Sequence, residues 1–201
     1  MSSSPDTLTA KGEATRARLL EAARASMLET GGLLEVAGVA QRADVSQGLL
    51  YRYFESKDGL VGAVVHAFYD SYDAAVFAAS LAPGSTWQAR ERLRLAWEID
   101  FLCDDPLGRL IVGRRLLEPA AFQADRERLA VQIDLAARNV ARGQSSGEVD
   151  RSIDARLVAA AFLGAFRELM AEALHRDEEP DRALLLDIVW RVGASIIPEA
   201  S

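Results

Sequence analysis

At 201 residues, half of them hydrophobic and only 7% aromatic, the chain can form one compact body or a small domain joined to a medium one. A formal net charge of −7 excludes a uniformly basic surface, and the one cysteine, Cys103, excludes an intrachain disulfide or a thiolate metal cluster. No apolar run is long enough to span a bilayer and the polar start lacks a signal-peptide core, so a soluble cytoplasmic protein is expected.

Ala, Leu, Arg and Glu dominate and strand-like alternation is missing, which predicts an all-α fold. Residues 1–10 are small and polar and are expected to form a disordered tail. Lys11 to Thr30 reads as a helix with Leu19, Leu20, Ala23 and Met27 on its apolar stripe, stopped by Gly31 and Gly32. Lys11, Arg16 and Arg18 lie near its start, where such a helix could graze a DNA backbone; singly, each reads as a solvated surface charge.

Val36 to Lys57 is the stretch that organises the rest. Val36, Val39 and Ala40 give a short helix one narrow apolar face. Ala43, Asp44 and Val45 break it, and Asp tolerates the left-handed backbone that a tight turn needs. Ser46 caps a second short helix with Leu49, Leu50 and Tyr53 inward and Phe54 closing it, and Ser56 caps the next. Two short helices meeting through a turn of a few residues make a helix-turn-helix. The outward residues of the second, Ser46, Gln47, Gly48, Tyr51 and Arg52, are small or able to hydrogen-bond. Gln can pair with adenine through two hydrogen bonds, and helix N-termini attract phosphate oxygens.

The run A-x-V-S-x-G-x-L-Y-x-Y-F-x-S-K, Ala43 through Lys57, resembles the signature of the TetR (tetracycline-repressor) family of transcriptional regulators. The resemblance covers roughly residues 11–65. It departs from the family pattern at Glu35, where Thr usually caps the helix, and at Asp44, where Gly usually sits in the turn. It implies a three-helix head whose Ser46, Gln47, Gly48, Leu49 and Tyr51 face DNA base edges and phosphates, while Tyr53 and Lys57 contact the backbone. Within residues 11–57, seven basic groups stand against six acidic ones, a balance of +1, so the acid excess lies elsewhere. That charge permits DNA contact without arguing for it.

Ser56 or Lys57 to about Ser80 reads as a long helix belonging to the head at its start and to the body beyond, with Gly59 and Gly62 as soft points. The domain limits expected are 11–63 for the head and 64–201 for the body. After the break at Ala82–Ser85, Thr86 to Cys103 is predicted helical with Leu93, Ala96, Trp97 and Phe101 inward. Leu107 to Leu117 is a short helix, Ala120 to Arg142 a longer one, and Gly143 to Gly147 a polar loop. Ile153 to His175 is apolar over most of its circumference, and Asp181 to Ile197 carries Leu184, Leu185, Ile188 and Val189. Helices apolar nearly all round must be covered on several sides, which predicts a homodimer through residues 153–175 and 181–197. The family resemblance implies the same interface.

Aromatic and apolar groups on the body helices, Phe68, Tyr72, Phe77, Trp97, Phe101, Leu110, Leu117 and Phe122, are expected to converge on a cavity for a small-molecule effector. Asp100 beside Trp97 could receive a cationic ligand, or it pairs with an arginine such as Arg114 or Arg115. No phosphate loop, no HExxH and no nucleophile with its base is present in the sequence, and His66 and His175 lie far apart, so neither an enzyme nor a cofactor is expected. The reading is a ligand-responsive dimeric regulator, a repressor, on a near-palindromic double-stranded operator. Its rival is a helical binding or scaffold protein that uses Tyr51 to Phe54 purely for packing.

Overall fold

The computed structural model describes residues 9–77, 85–113 and 116–200. Among them run nine helices: α1 (Ala10–Glu29), α2 (Val36–Arg42), α3 (Gln47–Phe54), α4 (Lys57–Phe77), α5 (Trp87–Asp104), α6 (Pro106–Ile111), α7 (Pro119–Ser146), α8 (Ala155–His175) and α9 (Arg182–Ile196). The fold is all-α, with a helix-turn-helix head and a larger helical body. Most of the tail expected at the N-terminus, residues 1–8, falls outside the described residues. Its end is corrected: Thr9 caps α1 through its hydroxyl, which accepts from the Gly12 N–H at 3.2 Å, and Ala10 is already helical.

The head forms by the local rules that the sequence carries. Gly31 and Gly32 take φ of 68° and 108° and stop α1, and Asp44 takes φ 53° in the turn between α2 and α3. Ser46 Oγ accepts from the Leu49 N–H at 3.2 Å and Ser56 Oγ from the Gly59 N–H at 2.9 Å. Leu19, Ala23 and Met27 of α1, Val39 of α2 and Leu50 of α3 are fully buried against Leu60 and Val61 of α4. That cluster continues without a break along α4 through Val65, Phe68 and Tyr69 into Ile99, Leu107, Met170 and Leu174 of the body.

A buried polar knot braces α4 to α7 and α8. Arg167 grips both oxygens of Asp125 at 2.9 and 2.6 Å and donates to the Tyr69 hydroxyl at 2.9 Å, while that hydroxyl donates to Asp125. Arg128 lies over the Tyr69 ring, 5.6 Å from its centroid, and reaches Asp73 at 2.7 Å. Burial pushes the Tyr69 hydroxyl far above its ordinary value, so it stays a donor.

Three expectations change. The inward face of α5 carries Leu95, Glu98, Ile99 and Leu102, whereas Leu93 is exposed. Helix α5 has two apolar stripes, and the buried one is the stripe that also holds Glu98. Helix α6 ends at Ile111. Helix α7 runs on through Gly143 to Ser146, and Gly147, at φ 77°, ends it. Gly143 is a packing residue: a Cβ there would lie 2.6 Å from Val149 and 3.0 Å from the Trp87 ring. The tail after α9 then zips back, with the Asp150 N–H donating to the Pro198 carbonyl at 3.1 Å and Val149 bridging Glu199.

Candidate DNA-contacting helix and body cavity

Leu50 and Phe54 anchor α3, and the opposite face is open. Ser46, Gln47, Gly48 and Tyr51 are exposed on that outer side, Tyr51 at 41%. Leu49 and Tyr53 are half-buried. The packing-only rival needs Tyr51 and Gln47 walled in, and they are not. Two basic groups of α1 are engaged within the chain, Arg16 stacking over the Phe54 ring at 5.3 Å and Arg24 reaching Asp105, the cap of α6, at 2.8 Å, while Lys11 and Arg18 are exposed.

Lys57 is not simply a free cation at the head. Its Nζ lies 2.7 Å from Glu118, whose side chain is only 8% exposed and also accepts from the Leu34 N–H at 3.1 Å. Burial pushes the Glu118 carboxyl up, but Lys57 and the Leu34 N–H together outweigh it and hold it below the usual range. Glu118 therefore ties the start of α7 to the head through two partners.

The body holds a cavity of about 260 Å³ between α4, α5, α7, α8 and α9. Its apolar wall includes Trp87, Leu95, Leu135, Phe162 and Trp190. Its polar wall includes Tyr72, Glu91, Arg94, Glu98 and Gln132. Glu91 and Arg94 pair with each other, both largely buried. The Tyr72 hydroxyl donates to Glu98, and burial, with Glu91 adding to it, pushes that carboxyl up to about 7. Burial also raises Tyr72 well above its ordinary value.

Of the residues expected to line this cavity, Tyr72 does. Phe68 and Phe101 stand behind it, each ring 5.5 Å from the other and Phe101 5.5 Å from Tyr72. Trp97 is half-buried off the cavity, and Phe122 and Leu117 are exposed at 46% and 57%. Asp100 faces solvent away from the cavity and binds Arg182 at 3.1 Å, so its arginine partner comes from α9, in place of the expected Arg114 or Arg115. Arg114 and the Phe77 side chain lie outside the described residues. Sequence reasoning missed Glu98, Trp87 and Trp190 because the wall draws on helices more than ninety positions apart. One signal was available: Glu91, Arg94, Leu95, Glu98 and Leu102 share one face of α5, mixing charge with core residues.

Among the described residues no group of three or more His, Cys, Asp or Glu is placed to hold a metal, and no helix is long and apolar enough to cross a membrane. His66 sits at the surface with Nε2 3.8 Å from Glu127.

The chain thus sets a braced helix-turn-helix on a cavity-bearing helical body. The sequence pattern of the tetR family of bacterial regulatory proteins matches residues 19–64. No curated protein matches the chain. Solved structures share its fold over nearly their whole length. A TetR-like transcriptional regulator from Rhodococcus sp. RHA1 is 19% identical, with a TM-score of 0.66 over 93% of this chain and 96% of that one. The TetR-family regulator from Agrobacterium tumefaciens is 16% identical, with a TM-score of 0.67 over 92% and 98%. FadR from Bacillus subtilis, solved with stearoyl-CoA, is 19% identical, with a TM-score of 0.71 over 89% and 97%. The head thus carries the sequence pattern of the tetR family, and the chain as a whole shares its fold with solved structures of regulators so named.

Proposed function

We propose that the protein is a homodimeric repressor that binds a near-palindromic operator through two copies of α3 and is released by a small molecule held in the body cavity. The observation that carries this reading is the outer face of α3, where Ser46, Gln47, Gly48 and Tyr51 stand exposed on a helix anchored from behind. In it, Leu49 and Tyr53 border the DNA contact, and two heads lie about 34 Å apart, one DNA turn, or a multiple of it.

The second copy is called for by α8 and α9. Leu157, Leu184 and Ile188 are exposed at 69%, 55% and 39%, and the small Ala161 and Gly164 beside them let a neighbouring backbone come close. Release follows from α4, which has Tyr72 on the cavity and Lys57 at the head. A ligand that prefers one placement of α4 shifts the distance between the heads. Lys57 reaches a phosphate only when Glu118 lets it go, which gives the two placements different DNA affinities.

Selection of bound sequences from random DNA, with sedimentation of the same preparation, tests the reading. A dimer with a two-fold-related consensus is expected. A monomer at micromolar concentration, or equal affinity for selected and random DNA at physiological salt, defeats it.

A further inference from the structure

The cavity wall holds three carboxylates, Glu91, Glu98 and Glu199, against two guanidinia, Arg94 and Arg142, and Arg94 is already paired with Glu91. Glu98 is 7% exposed and receives the Tyr72 hydroxyl. An ionised carboxylate offers about four acceptor positions, and the Tyr72 hydroxyl takes one of them. The side chains across the cavity, Trp87, Phe162, Leu163 and Trp190, bring apolar and aromatic surface. Rings of this kind favour a cation over an anion, because their faces are electron-rich.

We infer that the cavity binds a compact organic monocation, an ammonium or amidinium on an aromatic or branched apolar body, with the charge seated at Glu98. This rests on the reading of the body as the effector-binding part. The size is set by the volume: about 260 Å³ is on the order of nine water molecules at ~30 Å³ each, room for one ring and a short arm.

The same site explains why a cation gains there. A buried carboxylate without a full counter-charge is unfavourable, and the fold meets that by holding Glu98 at about 7, partly protonated near neutral pH. The charged and polar groups around it are Tyr72 and Asp73 from α4, Glu91 and Arg94 from α5, and the uncharged Gln132 from α7, with Arg142 of α7 and Glu199 of the C-terminal tail also on the cavity wall; α8 and α9 face the cavity with Phe162, Leu163 and Trp190. A bound ammonium supplies the missing positive charge. The Glu98 proton then leaves to the buffer, and the ion pair remains.

The test uses the full chain and three probes of one shape: phenylpropylammonium, phenylpropanol and phenylpropanoate. Calorimetry near pH 6 in two buffers of different ionisation heat reads affinity and proton release together. The ammonium should bind at least about tenfold more tightly than the alcohol, as expected for a hydrogen bond to a charged group, and the carboxylate should bind most weakly. Its binding should release protons, and the alcohol's should not. Glu98→Gln should abolish both the preference and the release while retaining alcohol binding. A cation preference that survives Glu98→Gln, tighter binding of the carboxylate, or no binding of any probe at millimolar concentration overturns the inference. None of these readouts involves DNA, so operator binding by the same preparation separates failure here from failure of the regulator reading.

Discussion

Glu98→Gln should change how the stability of this protein depends on pH, and the size of the change follows from the cavity wall. The Glu98 carboxyl is raised from its ordinary 4.5 to about 7, chiefly by burial. A carboxyl whose folded value lies above its unfolded value binds its proton more tightly in the fold. Its contribution is therefore whole below about 4.5 and is lost as pH rises through about 7. At 1.36 kcal/mol per pH decade, the loss between those limits is about 3 kcal/mol, and Glu98 is buried enough that solvent takes little of it. Gln keeps an acceptor for the Tyr72 hydroxyl and never ionises. Urea unfolding of both proteins at pH 4.5, 6, 7 and 8 gives the difference directly, and groups common to both cancel. The variant should gain on the wild type by about 3 kcal/mol between the lowest and highest pH. Parallel curves would refute the buried, proton-holding carboxyl and the cavity geometry that produces it.

Two α4 glycines should respond oppositely to alanine. A Cβ at Gly59 would lie 2.2 Å from the Phe54 carbonyl oxygen, so Gly59→Ala should destabilise by about 1–3 kcal/mol, whereas Gly62 has nothing within 4 Å and Gly62→Ala should stabilise by up to about 1 kcal/mol. Denaturant midpoints of the same sign would contradict this. Glu118→Gln should free Lys57, raising affinity for random DNA severalfold at low salt and steepening its salt dependence, while thermal melts show a loss of about 1 kcal/mol. In the wild type this tie, resting on a lowered carboxyl, is present above the ordinary carboxylate range and lost as pH falls through the depressed value. Leu157→Arg combined with Ile188→Arg should turn a sedimenting dimer into a monomer without changing the helical circular dichroism. Gln47→Ala should lower the ratio of selected to random DNA affinity by about 1–3 kcal/mol, and an unchanged ratio would remove Gln47 from base recognition.

The head was legible because its determinants are local. The Ser46 and Ser56 caps, the left-handed Asp44 turn and the two glycines after α1 act within a few residues of themselves, and they stand in the structure as the sequence reads. Helix α8 and helix α9 were equally plain, since their apolar periodicity is strong. The cavity was not legible. Leu93 and Trp97 on one side of α5, and Leu95 and Leu102 on another, give that helix two apolar stripes of similar strength. Only the approach of α4, α7, α8 and α9 decides which is buried, and it buries the stripe that carries Glu98.

Lys57 teaches the same lesson at the head. Its place at the end of the motif is a sequence property, but its partner, Glu118, is sixty-one positions away and meets it only because α7 begins beside α4. Residue order alone thus set the course of most helices, the Ser46 and Ser56 caps, the helix-turn-helix and the outward face of α3, because those depend on neighbours within one or two turns. Tertiary packing alone assigned the charges: which acid stays in water with Arg182, which clasps the head, and which has its carboxyl raised beside a cavity. A carboxylate's chemistry is set by its distance from solvent and counter-charge, and those distances exist only once the chain has closed on itself.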